Sequence, residues 1–111
     1  MIVSIYFTPS FSRKYKRYKK KFATIEADLK HFLSEIDETN AVSLGGGVFK
    51  YRFSVKSKNK GKSGGFRIIT FEILISEEQK DITLLTLFDK SEQSSITKTD
   101  VTEILKKEGL L

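Results

Sequence analysis

Lys50 and Arg52 stand two residues apart in VFKYRFSVK, Lys56 follows four further on, and Arg67 interrupts the apolar run FRIITF. Side chains two apart on a strand project from one face. Lys50, Arg52 and Lys56 therefore form a cationic line, opposite an apolar line of Phe49, Tyr51, Phe53 and Val55. A lone lysine on the outer face of a strand is usually just solvated. Arg67 differs, because a charge flanked by Phe66, Ile68 and Ile69 is normally paired or functional. With Lys90, just past the next apolar run, these side chains define a trough suited to a few phosphates.

Such a trough can bind RNA, and it can also cut it. Internal attack of a 2′-OH on its phosphate needs a base for the hydroxyl, an acid for the departing 5′-oxygen and positive charge against the phosphorane. Histidine usually serves the first two roles. The chain has one, His31, placed about 200° round a helix from the core position Leu29, and it is expected in solvent. A lysine among other cations is the remaining base, since neighbouring charge lowers its pKa. Arginine keeps its charge and offers paired hydrogen bonds to a phosphorane.

The turn KNKGKSGG at residues 58–65 adds Lys58, Lys60 and Lys62. Gly61-Lys62-Ser63 matches the end of a nucleotide-binding P-loop, but the first glycine of that motif falls on Lys56. A strand follows instead of the helix whose N-terminus would face the phosphates, which excludes that class. Gly64 and Gly65, lacking a Cβ, would let backbone approach a ligand.

At 111 residues the chain is one domain, residues 1–111, with a single core. It has no cysteine and one histidine, so neither a disulfide framework nor a thiolate or multi-histidine metal site is expected, and no cofactor is implied. MIVSIYF is too short to span a membrane, and a cytoplasmic location is the default expectation. The net charge of +6 is uneven: residues 1–62 hold 14 lysines and arginines against 5 acids, and residues 63–111 hold 6 against 9. That asymmetry points to a polyanionic partner. The tract containing Arg13, Lys16, Arg17 and Lys20 reads as a solvated helix face that attracts RNA at long range, with Tyr15 and Tyr18 as packing residues.

The elements that must position these groups follow from periodicity. Ile2 to Phe7 reads as a buried strand. Thr8-Pro9 starts a helix, and Phe22, Ile25, Leu29, Phe32, Leu33 and Ile36 mark a second. TNAVSLGGG, residues 39–47, reads as turn. Strands are expected at 48–56, 66–75 and 82–88 as an antiparallel meander, and Thr97 with Asp100 caps a last helix ending near Gly109. The result is an α+β fold, β-α-α-β-β-β-α. An antiparallel sheet is packed by an N-terminal helical hairpin on one face, with the cations on the open face and a C-terminal helix.

FKYRFSVKSKNKGKSGGFRIITF followed by ITLLTLFDKSEQSSITKTDVTEIL resembles the RelE/ParE superfamily of bacterial type II toxins, most closely its HigB-like RelE branch. The likeness rests on the K-x-R strand, the G-K-S-G-G-x-R turn, L-L-T-L-F-D-K-S-E and the acid-capped last helix, over about residues 45–105. It implies a RelE-like toxin that cleaves mRNA in the ribosomal A site without a metal and is neutralised by a cognate antitoxin, here a small helix-turn-helix protein. On that resemblance Lys50, Arg52, Arg67 and Lys90 fall on the family's catalytic basic positions. Lys56, Lys58, Lys60 and Lys62 join the helix-1 cations as RNA or ribosome contacts. Ser91 stands where some relatives have arginine, and Ser95 to Thr97 where some have tyrosine, so the acid and base are not fixed. A ParE-like gyrase inhibitor and a non-catalytic RNA-binding module are the alternatives.

Overall fold

Thr8 has no helical backbone of its own, but its hydroxyl accepts from the Phe11 amide at 2.9 Å and donates to the Leu85 carbonyl at 2.8 Å. One buried side chain thus starts a helix and fastens it to the sheet. In a computed structural model describing residues 1–38, 40–58 and 65–111, that helix is α1 (Pro9–Lys19), between β1 (Ile2–Phe7) and α2 (Ile25–Ser34). A 3-10 turn at Ile36–Glu38 leads to β2 (Val42–Gly45), β3 (Val48–Phe53), β4 (Phe66–Leu74), β5 (Gln79–Asp89) and α3 (Lys98–Lys107). None of the described helices is long and apolar enough to cross a membrane.

The sheet has five strands in the order β1-β5-β4-β3-β2. β2 to β5 run antiparallel to their neighbours, whereas β1 lies parallel to β5, with Ile2 opposite Gln79 and Phe7 opposite Leu84. The α+β reading holds, with two corrections to the sheet. First, the sheet is not wholly antiparallel: α1 and α2 carry the chain across one face to the far edge, and the meander returns β5 beside β1 in the same direction. Second, part of the expected 39–47 turn is strand β2, which hairpins onto β3 through Gly45, Gly46 and Gly47, all at positive φ. Its one inward apolar residue, Leu44, is too weak a period-2 signal against three glycines.

α1 and α2 cover one face. Tyr51, Phe53 and Val55 from the β3 side, Phe66 and Ile68 of β4, and Leu84 and Leu87 of β5 pack there against Phe11, Tyr18, Ile25, Leu29 and Phe32. The stripe expected for helix 2 is correct, though Phe22 precedes α2 and Ile36 falls in the 3-10 turn. The opposite face is not open. Val101 and Leu105 of α3 pack on Val48, Ile69, Leu85 and Phe88, each buried aliphatic side chain contributing about 1.5–3 kcal/mol. A register shift opposite Ile69 and Thr70 leaves Leu85 as an extra residue of β5, a bulge of the kind that sharpens local twist. α3 therefore roofs part of this face and leaves a cleft beside it.

Candidate functional site

The β3–β4 register decides which cations meet. Arg52 lies opposite Arg67, and Lys50 opposite Ile69, so Lys50, Arg52 and Arg67 share the α3 side of the sheet. Phe88 lies beside Arg67 on β5, and Lys90 follows at the strand's end. All four cations line one cleft of about 350 Å³, with Asn40, Val42, Phe88, Ser94 and Ser95 on its walls. No described lining residue is acidic. Among the described lining residues, the amines of Lys50 and Lys90 and the hydroxyls of Ser94 and Ser95 can move a proton. Tyr51 borders the cleft, but its hydroxyl binds Glu72 in the helix-covered layer, and burial, then that bond, push its pKa up.

Exposure differs sharply among the four. Arg52 and Lys90 are exposed and Lys50 is half-buried, while Arg67 is only 6% exposed, deeper than a residue on an open strand face. Its guanidinium donates to the Phe66 carbonyl at 3.1 Å. Burial, and then the charge of Arg52, hold its pKa below the usual arginine value. Like charges directly opposite on paired strands are destabilising. Arg52 and Arg67 stand in that relation, two like charges directly opposite each other on the cleft side of the sheet.

The remaining predicted contacts separate. Lys56 is exposed beyond the end of β3, outside the four-cation cleft, and its amide donates to the buried Asp28 carboxylate at 3.0 Å. Lys58 is not a solvated turn residue. Its amine sits 2.8 Å from Asp89 Oδ1, with the two side chains 11% and 4% exposed. Lys60, Lys62 and Gly64 lie outside the described residues. Gly65 has φ +75°, and a Cβ there would sit 3.2 Å from the Phe53 carbonyl; the close approach is to the chain's own backbone.

Lys16 on α1 and Lys20, the residue just past its end, are exposed. Arg13 reaches Ser10 at 3.4 Å and borders a second cleft between α1 and α3. Arg17 forks onto Glu92 at 3.3 and 3.4 Å and stacks on the Tyr18 ring. His31 is exposed on α2 and pairs with Glu35 at 3.0 Å, across the sheet from the cleft.

Sequence reasoning missed Asp89 and Glu92. Asp89 Oδ1 also accepts from the Ser91 amide and hydroxyl at 2.9 and 2.8 Å. Burial alone would raise this carboxyl, but the bonds from Lys58 and Ser91 outweigh it and hold the pKa below the ordinary range. Glu92 accepts from the Tyr18 hydroxyl at 2.7 Å, and that hydroxyl accepts from the Asp89 amide at 3.2 Å. The signal was available: Asp89 ends the run ITLLTLF, where a charge demands a partner as much as it does at Arg67.

No curated protein matches the chain. A family model described as the RelE toxin of the RelE/RelB toxin–antitoxin system matches residues 9–109. That span runs from the first turn of α1 to beyond α3 and contains every strand that builds the cleft. The chain belongs to this RelE toxin family.

Proposed function

We propose that this protein is the toxin of a type II pair and cleaves mRNA on the ribosome, as a HigB-like member of the RelE family. The observation that carries the reading is the cleft with Lys50, Arg52, Arg67 and Lys90 on its walls and no acid among its described lining residues. A base withdraws the 2′-hydroxyl proton, the 2′-oxygen bonds to phosphorus, and the bond to the 5′-oxygen breaks as that oxygen gains a proton. The products are a 2′,3′-cyclic phosphate and a 5′-hydroxyl end. Arg67 and Lys90 stabilise the phosphorane, where fixed charge in a partly dry site is most effective. Lys50 or Arg52 positions or polarises the 2′-OH, and Lys50 is the better base because arginine does not give up its proton. Weak action on naked RNA is expected, since the ribosome supplies alignment.

Family membership implies a cognate antitoxin, and we assign that role to a small helix-turn-helix protein encoded beside this chain. Primer extension on mRNA in a reconstituted translation system tests the reading. Wild type should give discrete stops within codons at the A site, and Arg67→Ala should lose them while still sedimenting with ribosomes. Intact message with wild-type protein rejects the nuclease. Relaxed plasmid accumulating under an Arg67→Ala variant that stays toxic would favour gyrase as the target.

A further inference from the structure

We infer that the Lys58–Asp89 ion pair is a latch that sets where Lys90 stands against Arg67, which makes Asp89 and Lys58 positioning residues of the cleft. The inference rests on the nuclease reading for its effect on rate, but its geometry stands apart from it. Asp89 lies opposite Phe66 on β4 and faces the helix-covered layer, while its neighbour Lys90 turns to the cleft. The Lys90 amide donates to the Gly65 carbonyl at 3.0 Å, and Gly65 is the residue before β4. Lys58 binds both Asp89 and, at 3.3 Å, the Ser91 hydroxyl. Both described residues that flank positions 59–64 are thus fastened to residues 89–91.

The latch is anchored on each side. Towards α2, the Asp28 carboxylate accepts from the Lys56 amide, and the Thr24 hydroxyl bonds Asp28 at 2.7 Å and accepts from the Ser57 amide at 2.9 Å. Lys58 is therefore held by its backbone neighbours before its amine reaches Asp89. Towards α1, Tyr18 and Glu92 fix the backbone on either side of Lys90. A long flexible lysine such as Lys90 loses little entropy in a reaction only if its Cα is already placed. Removing one partner of a buried pair leaves the other charge buried without compensation, so a single substitution at either residue should be felt locally.

Amide hydrogen exchange in wild type, Asp89→Asn, Lys58→Gln and the double variant tests the latch without any need for activity. Each single variant should speed exchange of the Lys90 amide by tenfold or more, with mid-strand amides of β4 and β5 unchanged. The double variant should do no worse than either single one, as coupled partners do. Unchanged Lys90 protection in Asp89→Asn overturns the inference. So does an equal loss across the sheet, or a variant that fails to fold, because the pair would then carry only global stability. In the translation system Asp89→Asn should cut the single-round cleavage rate about tenfold and leave the half-saturating ribosome concentration unchanged. If wild type cleaves nothing, the nuclease reading falls while the exchange result still decides the latch.

Discussion

Arg67 is buried, faces another arginine and borders a cleft without described acids. Those three properties set a guanidinium on the wall of the cleft, where a bound phosphate would meet it. Its planar fork can hold two oxygens of a phosphorane, which a truncated side chain cannot. Arg67→Ala should therefore lower the cleavage rate 10²–10³-fold, about 3 kcal/mol of transition-state stabilisation, as read from single-round kinetics on ribosome-bound message. Asp89 belongs to the same scale with a different readout. Its carboxyl titrates lower in the folded chain than in the unfolded one, so the unfolded state binds more protons in acid. The stabilisation is complete above about pH 4 and is lost as pH falls through the folded value. Urea unfolding from pH 7 to pH 3 should show wild type losing stability through that window and Asp89→Asn losing less. Glu92 shifts in the same direction, through its bonds from Tyr18 and Arg17, and deepens the acid sensitivity of both proteins alike.

The elements are held by two threonine caps of unequal weight. Thr8 is buried and spans α1 and β5 with two hydrogen bonds. Thr97 is exposed and closes a capping box with Asp100 at the start of α3. Thr8→Ala should cost about 2 kcal/mol, since it loses a cap and strands the Leu85 carbonyl, and Thr97→Ala about 1 kcal/mol. Urea midpoints with an unchanged m-value check both. These caps were legible in the chain, because Thr-Pro and Thr-x-x-Asp act through their nearest neighbours. So were β3 and the α2 stripe, where period and burial agree. β2 was not: four residues beside three glycines carry no period of their own, and only pairing with β3 makes them a strand. The parallel seat of β1 beside β5 is likewise set by how the helices cross the sheet, which no local pattern records. The gathering of Lys50, Arg52, Arg67 and Lys90 was legible from alternation, and the burial of Arg67 and Lys58 was not. The first arises where Arg67 lines the cleft beside Phe88, Ser94 and Ser95, and the second from a carboxylate 31 residues away in sequence.

At the scale of the whole molecule, a net charge of +6 makes approach to a polyanion a long-range event. Lys16 on α1 and Lys20 at its C-terminal end stand exposed, whereas Arg17 is neutralised locally by Glu92. Ribosome affinity should fall steeply with salt. Replacing Lys16 and Lys20 together with alanine should reduce the slope of log K against log salt by about 2, and Arg17→Ala by less. Filter binding from low to high salt separates the two. Loss of these cations should slow encounter and leave the chemistry at the cleft intact.

The chemistry of the cut ends tests the cleft most directly. If the cations serve an attack by the 2′-hydroxyl, fragments released on the ribosome carry a 5′-hydroxyl and a cyclic or open 3′-side phosphate. Their 3′ ends should then resist tailing by poly(A) polymerase until a phosphatase removes that phosphate. Fragments with free 3′-hydroxyl and 5′-phosphate ends would mean that water, not the message's own 2′-oxygen, attacks phosphorus, and would contradict the role given to Lys50, Arg52, Arg67 and Lys90.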